Sequence, residues 1–403
     1  MLKLRGKISA LNVSDAKPRL LKITKNPRLP SPLRKKAALL LHYKDIENLV
    51  DDDLEKLFRS SRFSAFFLRG LSKGFAGVGD RLCELSDVYL LPDDYEYLDD
   101  GDIVKLNPED QYLSVVFRNK TPNNSIFLTE RCNHLCLMCS QPPRDVDDFW
   151  LLDDAFELLK MLPSDTPNIG FTGGEPTIYG DEFIDLIRAA KLNLSQTSVD
   201  VLSNGRAFKD FAYARLLGQV EHPNLMLGIP LYSDDPVRHD YIVQAQGAFD
   251  ETLRGIINLK RVGVRVEIRL VIHKQTLPRM VETCRFIVRN LLFVDHVALM
   301  GLEITGYTRA NLAALWVDPD SYRNELSDAV EVLRAYGINC SIYNHQLCTV
   351  NSDVELVCRK SISDWKNEYL PICQKCSRKS ECGGFFSTQI MYRHSEHIKP
   401  FNA

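Results

Sequence analysis

The chain has 403 residues, 45% of them hydrophobic, and its 50 basic residues against 53 acidic ones give a formal net charge of -3. That length exceeds what one core usually supports, and the apolar content excludes a disordered chain. Balanced charge without a long single-sign block gives no reason to expect nucleic acid or an anionic membrane as partner. The longest apolar runs, such as 37–41, fall far short of the roughly 20 residues that span a bilayer, and the opening MLKLRGKISALNV lacks a signal-peptide core. Eleven cysteines, most of them at ligand-like spacings, then read as metal chemistry in a reducing, cytoplasmic setting rather than as disulfides.

Residues 1–121 have a texture of their own. A helix-like stretch covers 45–60, and strands are expected in 95–117 around the turn at 99–102. This predicts a small α+β N-terminal domain of unknown role, either a packing extension or a substrate-docking module. From 122 to 338 the pattern is regular. Apolar strands at 125–130, 168–174, 198–205, 225–233, 264–272 and 294–304 alternate with helical periodicity at 151–162, 181–193, 208–219, 248–262, 278–290 and 319–336. Six strand-helix units in series imply an α/β fold with a parallel sheet covered by helices, and in such arrays sites collect at the carboxyl ends of the strands.

Three motifs fall at those ends. After the first strand, Cys132, Cys136 and Cys139 stand in a C-x3-C-x2-C spacing. Three thiolates on one short loop suit a four-iron cluster and leave one iron without a protein ligand. The rival is a closed zinc knot with His134 as fourth ligand, a cramped chelate only two residues from Cys132 and from Cys136. After the second strand, Gly173, Gly174, Glu175 and Pro176 combine a backbone that can approach a ligand closely with a carboxylate that can accept from an ammonium. After the third, Ser203 and Asn204 precede Gly205 in a turn. Arg269 sits inside an otherwise buried strand and needs an anion, from a ligand or an internal salt bridge. Tyr232, Ser233, Asp234, Asp235, Arg238, His239 and Asp240, with Glu303 and Thr305, are further candidates for the mouth of the sheet.

The segment 339–403 carries a second constellation, Cys373, Cys376 and Cys382 in C-x2-C-x5-C. One distant thiol would complete a fully ligated cluster, and Cys348 is preferred over Cys358; a four-thiolate zinc site is the rival. Cys83, Cys284 and Cys340 read as ordinary buried thiols.

The cysteine triad with GGEP and SNG resembles the radical S-adenosylmethionine (SAM) superfamily. That resemblance implies a partial (β/α)6 barrel whose [4Fe-4S] cluster is bound by Cys132, Cys136, Cys139 and SAM. It implies that Gly173, Gly174, Glu175 and Pro176 hold the SAM amine, that Ser203 and Asn204 reach its ribose or carboxylate, and that Arg269 is a candidate for the carboxylate. An aromatic residue usual before the third cysteine is here Met138, which could make a similar contact with the adenine. The tail resembles the truncated auxiliary-cluster domain called twitch, with a second [4Fe-4S] cluster. The segments CLMCSQPP, MGLEITGY, SIYNHQLC, SISDWKNEYLP, CGGFFST and RHSEHIKPF look like the His-Xaa-Ser system radical SAM maturase of the C type, over about residues 123–400. This narrower resemblance implies an enzyme that cleaves SAM to a 5'-deoxyadenosyl radical and modifies a ribosomal precursor peptide by hydrogen abstraction. It would act with an electron donor and beside a second radical SAM maturase. A radical SAM enzyme for a small metabolite or nucleoside, and a non-catalytic iron-sulfur or zinc scaffold, are the alternatives.

Overall fold

The structure, a computed structural model, describes residues 3–47, 49–70, 87–361 and 367–402. Cys83 and positions 362–366 of the SISDWKNEYLP segment lie outside the described residues. The chain divides into two compact units, Met1–Ser125 with Lys160–Thr166, and Ile126–Leu159 with Pro167–Ala403.

The first unit is a mixed sheet of β1 (Arg5–Lys7), β2 (Ser9–Asn12), β3 (Arg19–Thr24), β4 (Ala37–His42), β5 (Ala65–Arg69), β6 (Val88–Leu90), β7 (Ile103–Asn107) and β8 (Tyr112–Phe117). Its order is β1-β8-β7-β3-β4-β5-β6-β2. Only Ile8 separates β1 from β2, so one segment pairs with β8 on one side and with β6 on the other. The ladder therefore closes on itself, which occupies the backbone groups that an open edge would leave for another strand. Tyr89, Tyr95, Phe67 and Leu106 are among the side chains buried in one core cluster, and Phe66, Leu68 and Phe58 in another.

The helix expected over 45–60 is two helices, Tyr43–Ile46 and Asp51–Phe58. The acidic run at 51–53, read from sequence as helix interior, stands at the start of the second, where negative charge complements the helix dipole. The strands expected within 95–117 both follow the turn. The carboxylate of Asp102 accepts the N–H groups of Asp99 and Asn119, each at 2.8 Å, and stabilises the bend.

The second unit, entered through β9 (Asn123–Phe127), contains β10 (Asn168–Thr172), β11 (Ser198–Leu202), β12 (Leu225–Pro230), β13 (Arg265–Ile272), β14 (His296–Gly301), β15 (Cys340–Tyr343) and β16 (Cys358–Arg359), and β9 to β16 are hydrogen-bonded in chain order. Every pair from β10 to β16 is parallel. This is the curled, helix-covered sheet of a partial barrel. Period two explains the layering. Val266, Ile268, Leu270 and Ile272 of β13 are all fully buried, while Glu267, Arg269 and Val271 alternate onto the other face. The helices Asp181–Asn193, Phe211–Gly218, Ala248–Arg261, Met280–Asn290 and Arg323–Ala335 fall on the expected segments. Asp318 caps the turn Pro319–Tyr322 that leads into the last of these, since its side chain accepts the Asp320 N–H at 2.9 Å. With β15 and β16 the sheet continues beyond residue 338; at four and two residues they are too short for periodicity to reveal.

Two buried imidazoles make this unit sensitive to acid. His345 is held neutral, with Nδ1 against the Tyr343 carbonyl at 2.9 Å and Nε2 against the Tyr322 hydroxyl at 2.8 Å. Burial pushes its pKa down to about 4, and that of His273 down to about 3. Below the ordinary histidine value the unfolded chain binds protons that the folded one refuses, so their contribution is full above about pH 6.5 and is lost as pH falls toward 4. A loss on the order of 3 kcal/mol is expected for His345. Melting temperatures of wild type and His345→Gln, compared at pH 7 and 4.5, check this; the variant should show the shallower pH dependence.

Candidate cofactor site

The loop that follows β9 carries Cys132, Cys136 and Cys139, all free and all partly exposed. It is tied on three sides. Leu135 and Leu137 donate backbone N–H groups to Val243 and Ile242 at the end of helix Pro236–Val243. Thr308 and Asn311 donate side-chain hydrogen bonds to the carbonyls of Met138 and Leu137, at 3.1 and 2.8 Å. Gly306, at φ +50°, passes so close that a Cβ there would lie 2.3 Å from the Cys139 carbonyl oxygen. The Met138 side chain is buried in an apolar cluster with Tyr232, Ile242, Val243, Ala248, Leu302 and Leu315, which seats the loop.

Asp148, which the sequence reading missed, fastens the root of this loop. Its buried carboxylate accepts from the Thr129 hydroxyl at 3.0 Å, the Glu130 N–H at 2.5 Å, Arg131 Nε at 3.3 Å and the Tyr179 hydroxyl at 3.2 Å. Asp148→Ala should lower stability by roughly 2–4 kcal/mol, since it orphans several buried donors and an ion-pair partner at once. Urea unfolding followed by circular dichroism measures that loss, and an unchanged midpoint would remove Asp148 from this role.

The GGEP segment zips onto the same root. Gly174 N–H donates to the Thr129 carbonyl at 2.7 Å and Glu175 N–H to that of Arg131 at 2.8 Å. A Cβ on Gly174 would stand 2.0 Å from the Arg131 carbonyl oxygen, so this approach requires glycine. Pro176 opens a short turn, Pro176–Tyr179. Glu175 is only 1% exposed. Its Oε1 accepts from Ser203 Oγ at 2.8 Å, Thr177 Oγ1 at 2.7 Å and Thr177 N at 3.1 Å, and its Oε2 from Asn204 N at 2.6 Å. Burial pushes its pKa up, and these four donors oppose the shift. Asn204 in turn donates Nδ2–H to Asn133 Oδ1 at 2.6 Å, next to Cys132. The cysteine loop, GGEP and SNG are thus one hydrogen-bonded assembly at the carboxyl ends of β9, β10 and β11.

Arg269 faces the inner side of the sheet. Its guanidinium pairs with Glu267 at 3.4 Å and donates to Met300 Sδ at 3.2 Å. Glu267 also contacts His296 Nδ1 at 2.8 Å, and His296 Nε2 reaches Ser341 Oγ at 3.0 Å. Burial tends to raise the Glu267 pKa, but His296 and Arg269 together hold it below the ordinary value. The candidates after β12 have structural work. Asp234 pairs with Arg279, Asp235 caps helix Pro236–Val243, Arg238 donates to the Gln275 carbonyl, and Asp240 accepts the N–H groups of Gly247 and Phe249.

The donor set suits a cluster. Burial first, then the Glu175 carboxylate and the Cys139 thiol, push Cys132 up to about 11, and burial with the thiols of Cys139 and Cys132 pushes Cys136 higher still. The mutual influence of Cys132, Cys136 and Cys139 puts the three within one electrostatic neighbourhood, so ligation would release their protons together. In the tail, Cys348, Cys373, Cys376 and Cys382 line one cavity with Tyr369 and Phe385. Cys358 does not line it and turns its thiol toward the Val354 carbonyl at 3.6 Å. Among the described residues, no group of three or more His, Cys, Asp or Glu side chains is placed to hold a single metal ion. No helix among them is long and apolar enough to cross a membrane.

The partial barrel of this α/β unit thus places a three-thiol loop, a glycine-acid turn and a polar turn at adjacent strand ends. The profile of the Radical SAM superfamily matches residues 126–287 of the chain. That family implies a [4Fe-4S] cluster and SAM as cofactors. Fe-coproporphyrin III synthase of Methanosarcina barkeri is 30% identical over 153 residues, 37% of this chain and 36% of that protein. The chain therefore spans about a third of that relative's length. A probable GTP 3',8-cyclase of Pyrobaculum aerophilum is 26% identical over 251 residues, 57% of this chain and 73% of that protein. Among solved structures, Streptococcus suis SuiB bound to S-adenosylmethionine aligns with a TM-score of 0.46 at 17% identity, over 55% of this chain and 50% of that one.

Proposed function

We propose that this protein is a radical SAM enzyme that modifies a ribosomally made precursor peptide of the His-Xaa-Ser repeat type by hydrogen abstraction. Cys132, Cys136 and Cys139 would hold the [4Fe-4S] cluster, which with bound SAM supplies a 5'-deoxyadenosyl radical. The chain's own part is to bind, orient and exclude water. The observation that carries this reading is the Glu175 hub. A buried carboxylate fixes the turns after β10 and β11 to each other, and Asn204 links them to the cysteine loop. In this reading Gly173, Gly174 and Pro176 would offer backbone, and Ser203, Asn204 and Arg269 side chains, to SAM. The peptide assignment is supported by the sequence resemblance over residues 123–400 and by the second thiol group of Cys348, Cys373, Cys376 and Cys382, suited to an auxiliary cluster.

A small metabolite or nucleoside is the second reading, favoured by curated relatives named for GTP and coproporphyrin. Anaerobically reconstituted protein incubated with SAM, dithionite and the repeat peptide decides between them. A mass change in the peptide that accompanies 5'-deoxyadenosine supports the first reading. Deoxyadenosine with an unchanged peptide, and turnover of a nucleotide or porphyrin precursor, supports the second.

A further inference from the structure

The thiol cavity of the tail has two walls to which the proposed function gives no work. One is a folded turn at Gly384, whose N–H points at Cys382 Sγ at 3.5 Å and whose carbonyl accepts from the buried Gln346 Nε2 at 2.7 Å. Gly384 has φ +66°, and a Cβ there would lie 2.5 Å from the Glu368 carbonyl oxygen, so the turn requires glycine. Glu368 and Phe385 exchange backbone hydrogen bonds behind it, each at 2.8 Å.

The other wall is the segment Ile398, Lys399, Pro400 and Phe401. Phe401 donates its backbone N–H to Cys376 Sγ at 3.4 Å, across 25 residues of sequence. Its carbonyl accepts from the Ser377 N–H at 3.0 Å and from Ser377 Oγ at 3.2 Å. Its ring lies 5.0 Å from the Arg378 guanidinium, which Glu355 and Glu381 hold in turn at 2.6 and 2.9 Å. Three consecutive residues, Cys376, Ser377 and Arg378, thus grip Phe401 by its N–H, its carbonyl and its ring. Packing alone explains the ring but not the N–H. An amide aimed at sulfur finds a strong acceptor when that sulfur is a thiolate, and metal ligation is what deprotonates a thiol. Both walls aim such an amide at a cavity thiol.

We propose that residues 398–401 are a strap, latched by Phe401, that retains the cluster on Cys348, Cys373, Cys376 and Cys382 and raises its reduction potential through the N–H on the Cys376 sulfur. Reduction adds negative charge to a cluster, and a donor on a ligating sulfur stabilises the more negative state. Phe401 is a positioning residue that acts through Cys376, and the inference rests on the auxiliary cluster proposed above.

The test uses the full-length chain with Cys132, Cys136 and Cys139 replaced by alanine, reconstituted anaerobically, so that the tail alone reports. Excess iron chelator is added and iron release is followed with time. Phe401→Ala, which loses the ring and keeps the N–H, should release iron about two- to fivefold faster than this parent, the worth of an exposed cation–π contact. Ser377→Ala, which loses only the hydroxyl hold on the strap, should also release it faster. Phe401→Pro lacks the N–H as well. In a redox titration read by electron paramagnetic resonance, its ratio of reduced to oxidised cluster at fixed poise should fall about three- to tenfold below that of Phe401→Ala, tenfold being about 59 mV for a one-electron couple. The inference is overturned if Phe401→Ala and Ser377→Ala both release iron as slowly as the parent, or if Phe401→Pro titrates as Phe401→Ala does. Should Phe401→Ala take up no iron, release from Ser377→Ala decides. Zinc in place of iron in the parent would defeat the auxiliary-cluster reading and this inference with it, whereas an intact cluster with unmoved release and potential defeats only the strap.

Discussion

Glu175→Ala is expected to abolish SAM cleavage and to lower stability. The substitution removes the carboxylate that accepts from the hydroxyls of Ser203 and Thr177 and from the N–H groups of Thr177 and Asn204. The hydroxyls can rotate to other partners, but the two backbone N–H groups cannot, and each costs about 1–3 kcal/mol when left unmade. Glu175→Gln should be nearly as harmful. Its amide nitrogen must face either the three donors around Oε1 or the Asn204 N–H at Oε2, so a donor meets a donor in both flips. A loss of about 3 kcal/mol in positioning corresponds to a fall on the order of 100-fold in rate. The yield of 5'-deoxyadenosine under dithionite, with iron content and melting temperature measured on the same samples, separates lost positioning from lost folding. Wild-type cleavage by Glu175→Gln would show that the two turns do not depend on this carboxylate.

That hub marks the limit of what the sequence discloses. The cysteine loop, GGEP and SNG are legible because close thiols and glycine-bearing turns leave local signatures. The six long strands are legible because alternating burial writes period two into the chain. The connections between motifs are not. Glu175 meets Ser203 and Asn204 across 28 and 29 residues, and Asn204 meets Asn133 across 71. No spacing rule selects one asparagine among many at such separations. Asp148 left only its place two residues before helix Trp150–Met161 as a hint. The closure of the N-terminal ladder pairs β2 with β6 and β1 with β8, partners from distant parts of the chain, and is likewise set by tertiary packing. The break in the 45–60 helix is a different failure, since an acidic run favours a helix start as much as it tolerates a helix interior.

The iron count gives the other large effect. Wild-type protein reconstituted anaerobically should hold about eight irons per chain, two four-iron clusters. Joint replacement of Cys132, Cys136 and Cys139 by alanine should leave about four and eliminate 5'-deoxyadenosine, because the cavity lined by Cys348, Cys373, Cys376 and Cys382 lies on separate segments. Cys373→Ala with Cys376→Ala should remove the complementary half and keep SAM cleavage detectable. The fourth ligand can be read from the same assay. Cys348 shares the cavity with the other three thiols, while Cys358 starts β16 and faces a carbonyl. Iron should therefore fall in Cys348→Ala and hold in Cys358→Ala. Four irons with one zinc in the wild type would turn the tail into a structural knot and remove the auxiliary cluster from the peptide reading. Zinc at Cys132, Cys136 and Cys139 would reach further, because no vacant iron would then stand beside the turns that Glu175 holds together.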